Sequence, residues 1–196
     1  MPRKAATKPD DLTDALMRVV DGHGLDAVSI RAVAREAGVS IGTVQYYFAT
    51  KDELLLAAYH RVIDQVTARG NAIAAADPAP REFIRALLLE LLPLDERRAT
   101  ELRVGLAFTA RSVHSPQLTE LYTEAHRALV EAIAGHLELA VLRGQAATGV
   151  DPRRDAIHCV AFADGLAWHL LCAPNSVKPA EALAALEAHV DRLLPA

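Results

Sequence analysis

An all-α protein is expected from this chain, and three observations carry that expectation. Apolar residues recur at three- and four-residue spacing through most of its 196 positions. The 52% hydrophobic content is mostly Ala and Leu with only 5% aromatics, a composition that favours helices. Prolines and glycines interrupt the pattern at intervals of helical length, and nothing alternates long enough to make a strand. About nine helices are predicted, divided into a flexible basic arm (1–9), a helix-turn-helix domain (10–55) and a larger helical domain (56–196).

The first helix is expected over 10–23, with Leu12, Leu16, Val19 and Val20 as its buried stripe and Gly22 and Gly24 as its stop. In the next helix Ile30, Val33, Ala34 and Ala37 recur at helical spacing, and Gly38 ends it. Ser40 can cap the third helix, whose Val44 and Phe48 point inward four residues apart. Thr43, Gln45, Tyr46 and Tyr47 are left facing outward; Tyr47 is the ring more expected to pack in the core as well. That is the layout of a helix-turn-helix whose second helix can enter a DNA major groove. Thr50-Lys51-Asp52-Glu53 reads as a capping box that starts a long fourth helix ending near residue 75.

Pro78 and Pro80 break the chain there. Five more helices are expected over 81–92, 96–113, 116–143, 153–172 and 179–194, separated by proline or glycine signals. The segment from Ile157 to Leu171 is apolar around nearly its whole circumference, so it must be covered on more than one side. The last two helices are therefore expected to meet their copies in a four-helix dimer contact, through Ala163, Asp164, Ala167, Leu171, Leu183, Leu186, Val190 and Leu193. An acidic residue in so apolar a helix needs a partner, and Asp164 is assigned to that contact. A monomeric core is the alternative for all eight.

Charge neither demands nor forbids a nucleic-acid partner. The chain carries a net −4, and residues 1–55 hold seven basic against eight acidic side chains. What matters is where charge is displayed: Arg3, Lys4 and Lys8 lie on the arm, and Arg31 and Lys51 flank the outward-facing helix. No apolar run has the length of a membrane span, no signal peptide is evident at the start, and Cys159 and Cys172 are not spaced as metal ligands. A cytoplasmic protein with free thiols, no membrane partner and no metal is the expectation.

Catalytic chemistry has one foothold. Gly38-Val39-Ser40-Ile41-Gly42 matches G-x-S-x-G, but a hydrolase elbow follows a strand, and here a helix precedes the serine. Ser40 is better explained as an N-cap, so no catalytic residue is assigned. A small-molecule site in the larger domain is the stronger alternative, since ligand pockets are apolar with a few placed polar groups. Arg103, Arg111, Tyr122 and His126 would supply the polar groups and Phe108, Phe162 and Trp168 the walls.

Residues 10–59 resemble the N-terminal domain of TetR-family transcriptional repressors. The resemblance is carried, in order, by Ile30-Arg31-Ala32-Val33-Ala34, Ala37-Gly38-Val39-Ser40, Gly42-Thr43-Val44-Gln45-Tyr46-Tyr47-Phe48 and Lys51-Asp52-Glu53-Leu54-Leu55. The remainder, with Asp164-Gly165-Leu166 and His169-Leu170-Leu171, is similar to the ligand-binding domain of BetI-type members. The resemblance implies a homodimer on double-stranded DNA, released from a near-palindromic operator by an unknown small-molecule effector, with no cofactor. An activator or pleiotropic regulator is the alternative. It also implies that Ser40, Gly42, Thr43, Gln45, Tyr46 and Tyr47 form the groove-facing surface. Ser29 and Arg31 would touch the backbone or a base, and Lys51 a phosphate. Many members have tyrosine where Gln45 stands; a glutamine there suits a bidentate contact to adenine.

Overall fold

The computed structural model describes residues 9–195, and the basic arm with Arg3, Lys4 and Lys8 lies outside the described residues. Among them the chain forms nine α-helices and one short 3₁₀ turn, with no strand. Helix α1 spans Pro9–His23, α2 Ile30–Ala37, α3 Ile41–Tyr47 and α4 Lys51–Ala75. The body follows as α5 Pro80–Glu90, α6 Glu96–Ser112, α7 Pro116–Leu142, α8 Pro152–Cys172 and α9 Pro179–Leu193.

Local chemistry explains the boundaries. Gly38 takes φ 66°, and the amides of Gly38 and Val39 close onto the carbonyls of Arg35 and Ala34, satisfying the last turn of α2. Ser29 and Ser40 each accept the amide three residues on, from Ala32 at 3.1 Å and Thr43 at 3.0 Å. Thr50 accepts from the Glu53 amide at 3.2 Å as the capping box requires. The Glu53 carboxylate, however, accepts from the amide of Ala49 at 2.8 Å rather than from that of Thr50. At the end of α1, Gly22 is still helical; Gly24 alone takes the left-handed conformation, at φ 76°.

Two cores hold the helices together. The first is built from α5, α7, α8 and α9: Phe83, Ile84, Leu87 and Leu88 meet Ile133, Leu137, Cys159, Val160, Leu186 and Val190. Ala156, Ala163 and Ala167 let α8 lie close against its neighbours. The second core fills the head, from Leu12, Leu16, Val33, Val44 and Phe48 to Leu54, Ala58, Tyr59 and Val62 of α4. Two residues of α6, Val104 and Phe108, complete it, and the Phe108 ring stacks on Tyr59 with centroids 3.6 Å apart. Packing therefore does not divide at residue 55: the head is closed by a helix that is fifty residues away in the chain and belongs to the body.

Ion pairs fix the far end of α4. Arg69 grips the buried Glu101 of α6 through both terminal nitrogens, at 2.6 and 3.1 Å, and reaches Glu90 of α5 at 2.5 Å. Near the head, Thr100 of α6 donates to Asp21 of α1 at 2.6 Å, and Arg111 of α6 pairs with Asp52 at the start of α4. Replacing Phe108 with alanine removes a ring that is 1% exposed, a change that costs about 3–5 kcal/mol in a well-packed core. Chemical denaturation should show this loss, and amide exchange in α1 and α4 should rise with it if Phe108 closes the head.

Candidate nucleic-acid interface and effector site

The outward surface of α3 is built by its own periodicity. Val44 and Phe48 are buried, which turns Gly42 and Tyr46 to the opposite side, with Ile41 and Gln45 along one edge and Thr43 and Tyr47 along the other. Tyr46 is 82% exposed. Tyr47 is half-buried against the head core, and the two rings meet edge to face at 5.0 Å. Thr43 is held by its neighbour: its hydroxyl lies 2.8 Å from that of Ser40. A methyl group at Gly42 would meet nothing closer than the Ser40 hydroxyl at 3.8 Å, so the lack of a side chain there is a property of the outer surface.

The charge problem posed by the composition is resolved by pairing. Asp14 is held by Arg61 at 2.9 Å, Glu36 by Arg18 at 2.7 Å, and Asp52 by Arg111. Asp21 accepts from Thr100, and Glu53 is spent on the Ala49 amide. Arg31 and Arg35, one turn apart on α2, and Lys51 are exposed and make no ion pair among the described residues. Positive charge is thus left on α2 and at the start of α4, the helices before and after α3, although the formal balance of the head is negative. Arg35 was not singled out by the sequence; its place four residues after Arg31 was the available signal.

The expected ligand residues separate. Phe108 is sealed into the head core, and Arg111 is held by Asp52. Arg103 pairs with Glu96 at 3.0 Å and touches Thr100, on the head side of α6. Phe162 stacks on His189 of α9 at 4.6 Å, which uses it as a packing ring between α8 and α9. Trp168 is 53% exposed on the outer side of α8. These five do not converge, because helical spacing gives no information about which neighbour each face meets.

Tyr122 and His126 do come together, on α7 with ring centroids 6.1 Å apart. Asp164 of α8, expected at a contact between copies, lies within electrostatic range of both. Asp164 is exposed on α8, yet the helices crowded around it reduce the hydration of its carboxyl and push its pKa up, with the positive field of His126 partly offsetting this. The same carboxylate reinforces the rise that burial causes in the Tyr122 hydroxyl. Behind them Tyr59, also buried, is pushed up to about 12 by loss of hydration and then by Tyr122. Two open recesses, one of about 460 Å³ between α6 and α7 and one of about 420 Å³ between α1, α4 and α6, do not include this group.

The dimer expectation also needs correction. Ala163, Ala167, Leu186 and Val190 are each at most 1% exposed and belong to the body core, so they offer no surface to a second copy. Leu171, Leu183 and Leu193 are half-buried. What α8 leaves open instead is Ile157, Ala161, Asp164 and Trp168, one stripe at helical spacing, so of the expected set Asp164 stays on the open face. The two cysteines are free, with Cys159 buried beside His189 at 3.5 Å and its thiol pushed up to about 12 by burial.

A capped helix-turn-helix with positive charge around an open second helix, mounted on a helical body, defines a DNA-binding transcriptional regulator rather than an enzyme. Residues 12–58 match the tetR family of bacterial regulatory proteins, and residues 80–195 match the C-terminal domain of BetI-type transcriptional repressors. The chain belongs to the TetR family. It is 31% identical to the HTH-type transcriptional regulator PksA of Bacillus subtilis (strain 168), over 93% of this chain and 87% of that one. It is 32% identical to the regulator BetI of Paraburkholderia xenovorans (strain LB400), over 79% of this chain and 77% of the relative. Among solved structures, a transcriptional regulator from Rhodococcus sp. Rha1 shares 34% identity with a TM-score of 0.79, covering 94% of both chains. A regulator from Saccharomonospora viridis, solved in complex with choline, shares the fold at 22% identity and a TM-score of 0.83, covering 95% of this chain and 97% of the other. No helix among the described residues is long and apolar enough to cross a membrane.

Two outcomes check the site. Tyr46→Ala should weaken DNA binding and leave the melting temperature unchanged, whereas Tyr47→Ala should lower both; gel-shift titration and thermal melting distinguish them. Asp164 has a folded pKa above its ordinary value of 3.8, so its contribution to stability is intact below that pH and is lost as pH rises through the raised pKa. Asp164→Asn should therefore raise the melting temperature at pH 7, and the gain should vanish below about pH 4.

Proposed function

We propose that this protein is a cytoplasmic, ligand-responsive repressor that binds a near-palindromic operator as a homodimer. The observation that supports the proposal is α3 itself, with Gly42, Thr43, Gln45, Tyr46 and Tyr47 on its outer side and edges, Ser40 at its cap, and Ser29, Arg31 and Lys51 on the helices before and after it. Three acids of the head, Asp14, Glu36 and Asp52, are meanwhile held by Arg61, Arg18 and Arg111. Two recognition helices would enter successive major grooves with centres roughly 34–36 Å apart. Gln45 would read an adenine, and Arg31, Arg35 and Lys51 would neutralise phosphates.

The second copy would sit on the outer side of α8, where Ile157 and Trp168 are open, with Leu171, Leu183 and Leu193 at its margin. The effector would bind between α7 and α8 at Tyr122, His126 and Asp164. A carboxylate beside two aromatic rings suits an organic cation, and the choline in the Saccharomonospora viridis neighbour supports that chemistry. A ligand seated there would shift α7 against α8, which pack on each other. Such a movement reaches the head through α6, which packs on α7 and also closes the head core. A coupling of about 1–3 kcal/mol between the two sites is usual for such regulators.

The test is a duplex selected from random DNA by the purified protein. It should contain two inverted half-sites, and choline or a related quaternary amine should raise the dissociation constant about 5–150-fold. Trp168→Glu should sediment as a monomer and lose the doubled half-site. Selection of one unrepeated site, or a shift that no such amine relieves, would count against the dimer or the effector class respectively.

A further inference from the structure

We infer that Ile41 is a specificity residue that reads the methyl group of a thymine next to the base pair read by Gln45. This rests on the DNA-binding reading of α3. Ile41 is a large apolar side chain that is 44% exposed at the first turn of the one helix built to face DNA. Val39 and Tyr47 pack partly against the head core, whereas Ile41 belongs to neither core. Core packing therefore does not account for an isoleucine at this position. Burial in a groove does.

The geometry suits one base-edge group. Ile41 and Gln45 are one helical turn apart on the same edge of α3, so the side chains stand about 5–6 Å from each other. That distance matches a short step along the major groove, where base pairs follow every 3.4 Å of axis. Gly42, between them on the outer side, adds no bulk that would hold the helix away. The major groove offers one apolar feature, the C5 methyl of thymine, and branched aliphatic groups contact it readily. Isoleucine has no donor or acceptor, so it cannot choose among bases by hydrogen bonding. It would instead favour thymine by burying the methyl, and an A·T-rich step would result beside the adenine that Gln45 recognises.

Removing a single methyl from the DNA tests this directly. The protein's selected duplex is resynthesised with deoxyuridine replacing thymidine at one position of each half-site at a time, and dissociation constants are measured by fluorescence anisotropy. Loss of one buried methyl should weaken binding about three- to fivefold per half-site at one position and little elsewhere. Ile41→Ala should bind the thymine and uracil duplexes alike, and Ile41→Leu should restore part of the difference. Thermal melting of both variants should match the parent, since the residue packs in no core. Equal affinity of the parent for every uracil duplex would overturn the inference, as would a thymine preference that survives in Ile41→Ala. A protein that selects no duplex at all would instead remove the regulator reading, and this one with it.

Discussion

The stack of Phe108 on Tyr59 is the contact on which the relation of head to body depends. Phe108 and Val104 project from α6, yet they lie among Leu12, Leu16, Val33 and Val44 as members of the head core. Burying a phenylalanine contributes about 1.5–3 kcal/mol, and tilting the head away from α6 would return that surface to water. Polar contacts reinforce the same line. Thr100 holds Asp21 of α1, Arg111 holds Asp52 of α4, and Arg69 of α4 holds the buried Glu101. The head is thus attached to α6 at its start, middle and end. A displacement of α6 has to move α1 and α4 or break a packed interface.

The same contacts shape the electrostatic surface. An exposed pair such as Arg18–Glu36 contributes about 0–1 kcal/mol to stability, too little to matter for folding. Its effect on the field is that the two charges cancel, so that Glu36 does not offset Arg31 or Arg35 on its own helix. Asp14, Asp21, Glu36 and Asp52 are all turned to a partner, while Arg31, Arg35 and Lys51 have none among the described residues. A chain with net charge −4 can then offer a positive face without any basic tract.

Local signals made most of the fold legible. Gly38, Ser40 and Thr50 act through atoms no more than a few residues away, so their consequences can be read from spacing alone. Even there, the Glu53 carboxylate chose Ala49 over Thr50, because the entry angle of the chain decides which amide it can reach. The outward set of α3 was equally legible, since the inward direction is marked by Val44 and Phe48. The proposed effector group was legible only in part. Tyr122 and His126 share a helix face, but Asp164 joins them from another helix, and Phe108, Arg103, Arg111 and Phe162 look similar in the sequence yet face elsewhere.

The sequence by itself determined the helices, their caps and the identity of the side chains that leave the head through α3. Those properties depend on interactions within about one helical turn. Tertiary structure decided which acids are neutralised, which alanines and leucines are sealed in the body core, and which helix closes the head. Each of those depends on how two helix faces distant in the chain meet, and the one-dimensional period of a helix says that a face is apolar without saying what covers it. Ala163 and Ile157 show the difference: both are apolar residues of α8, one fully buried and the other exposed.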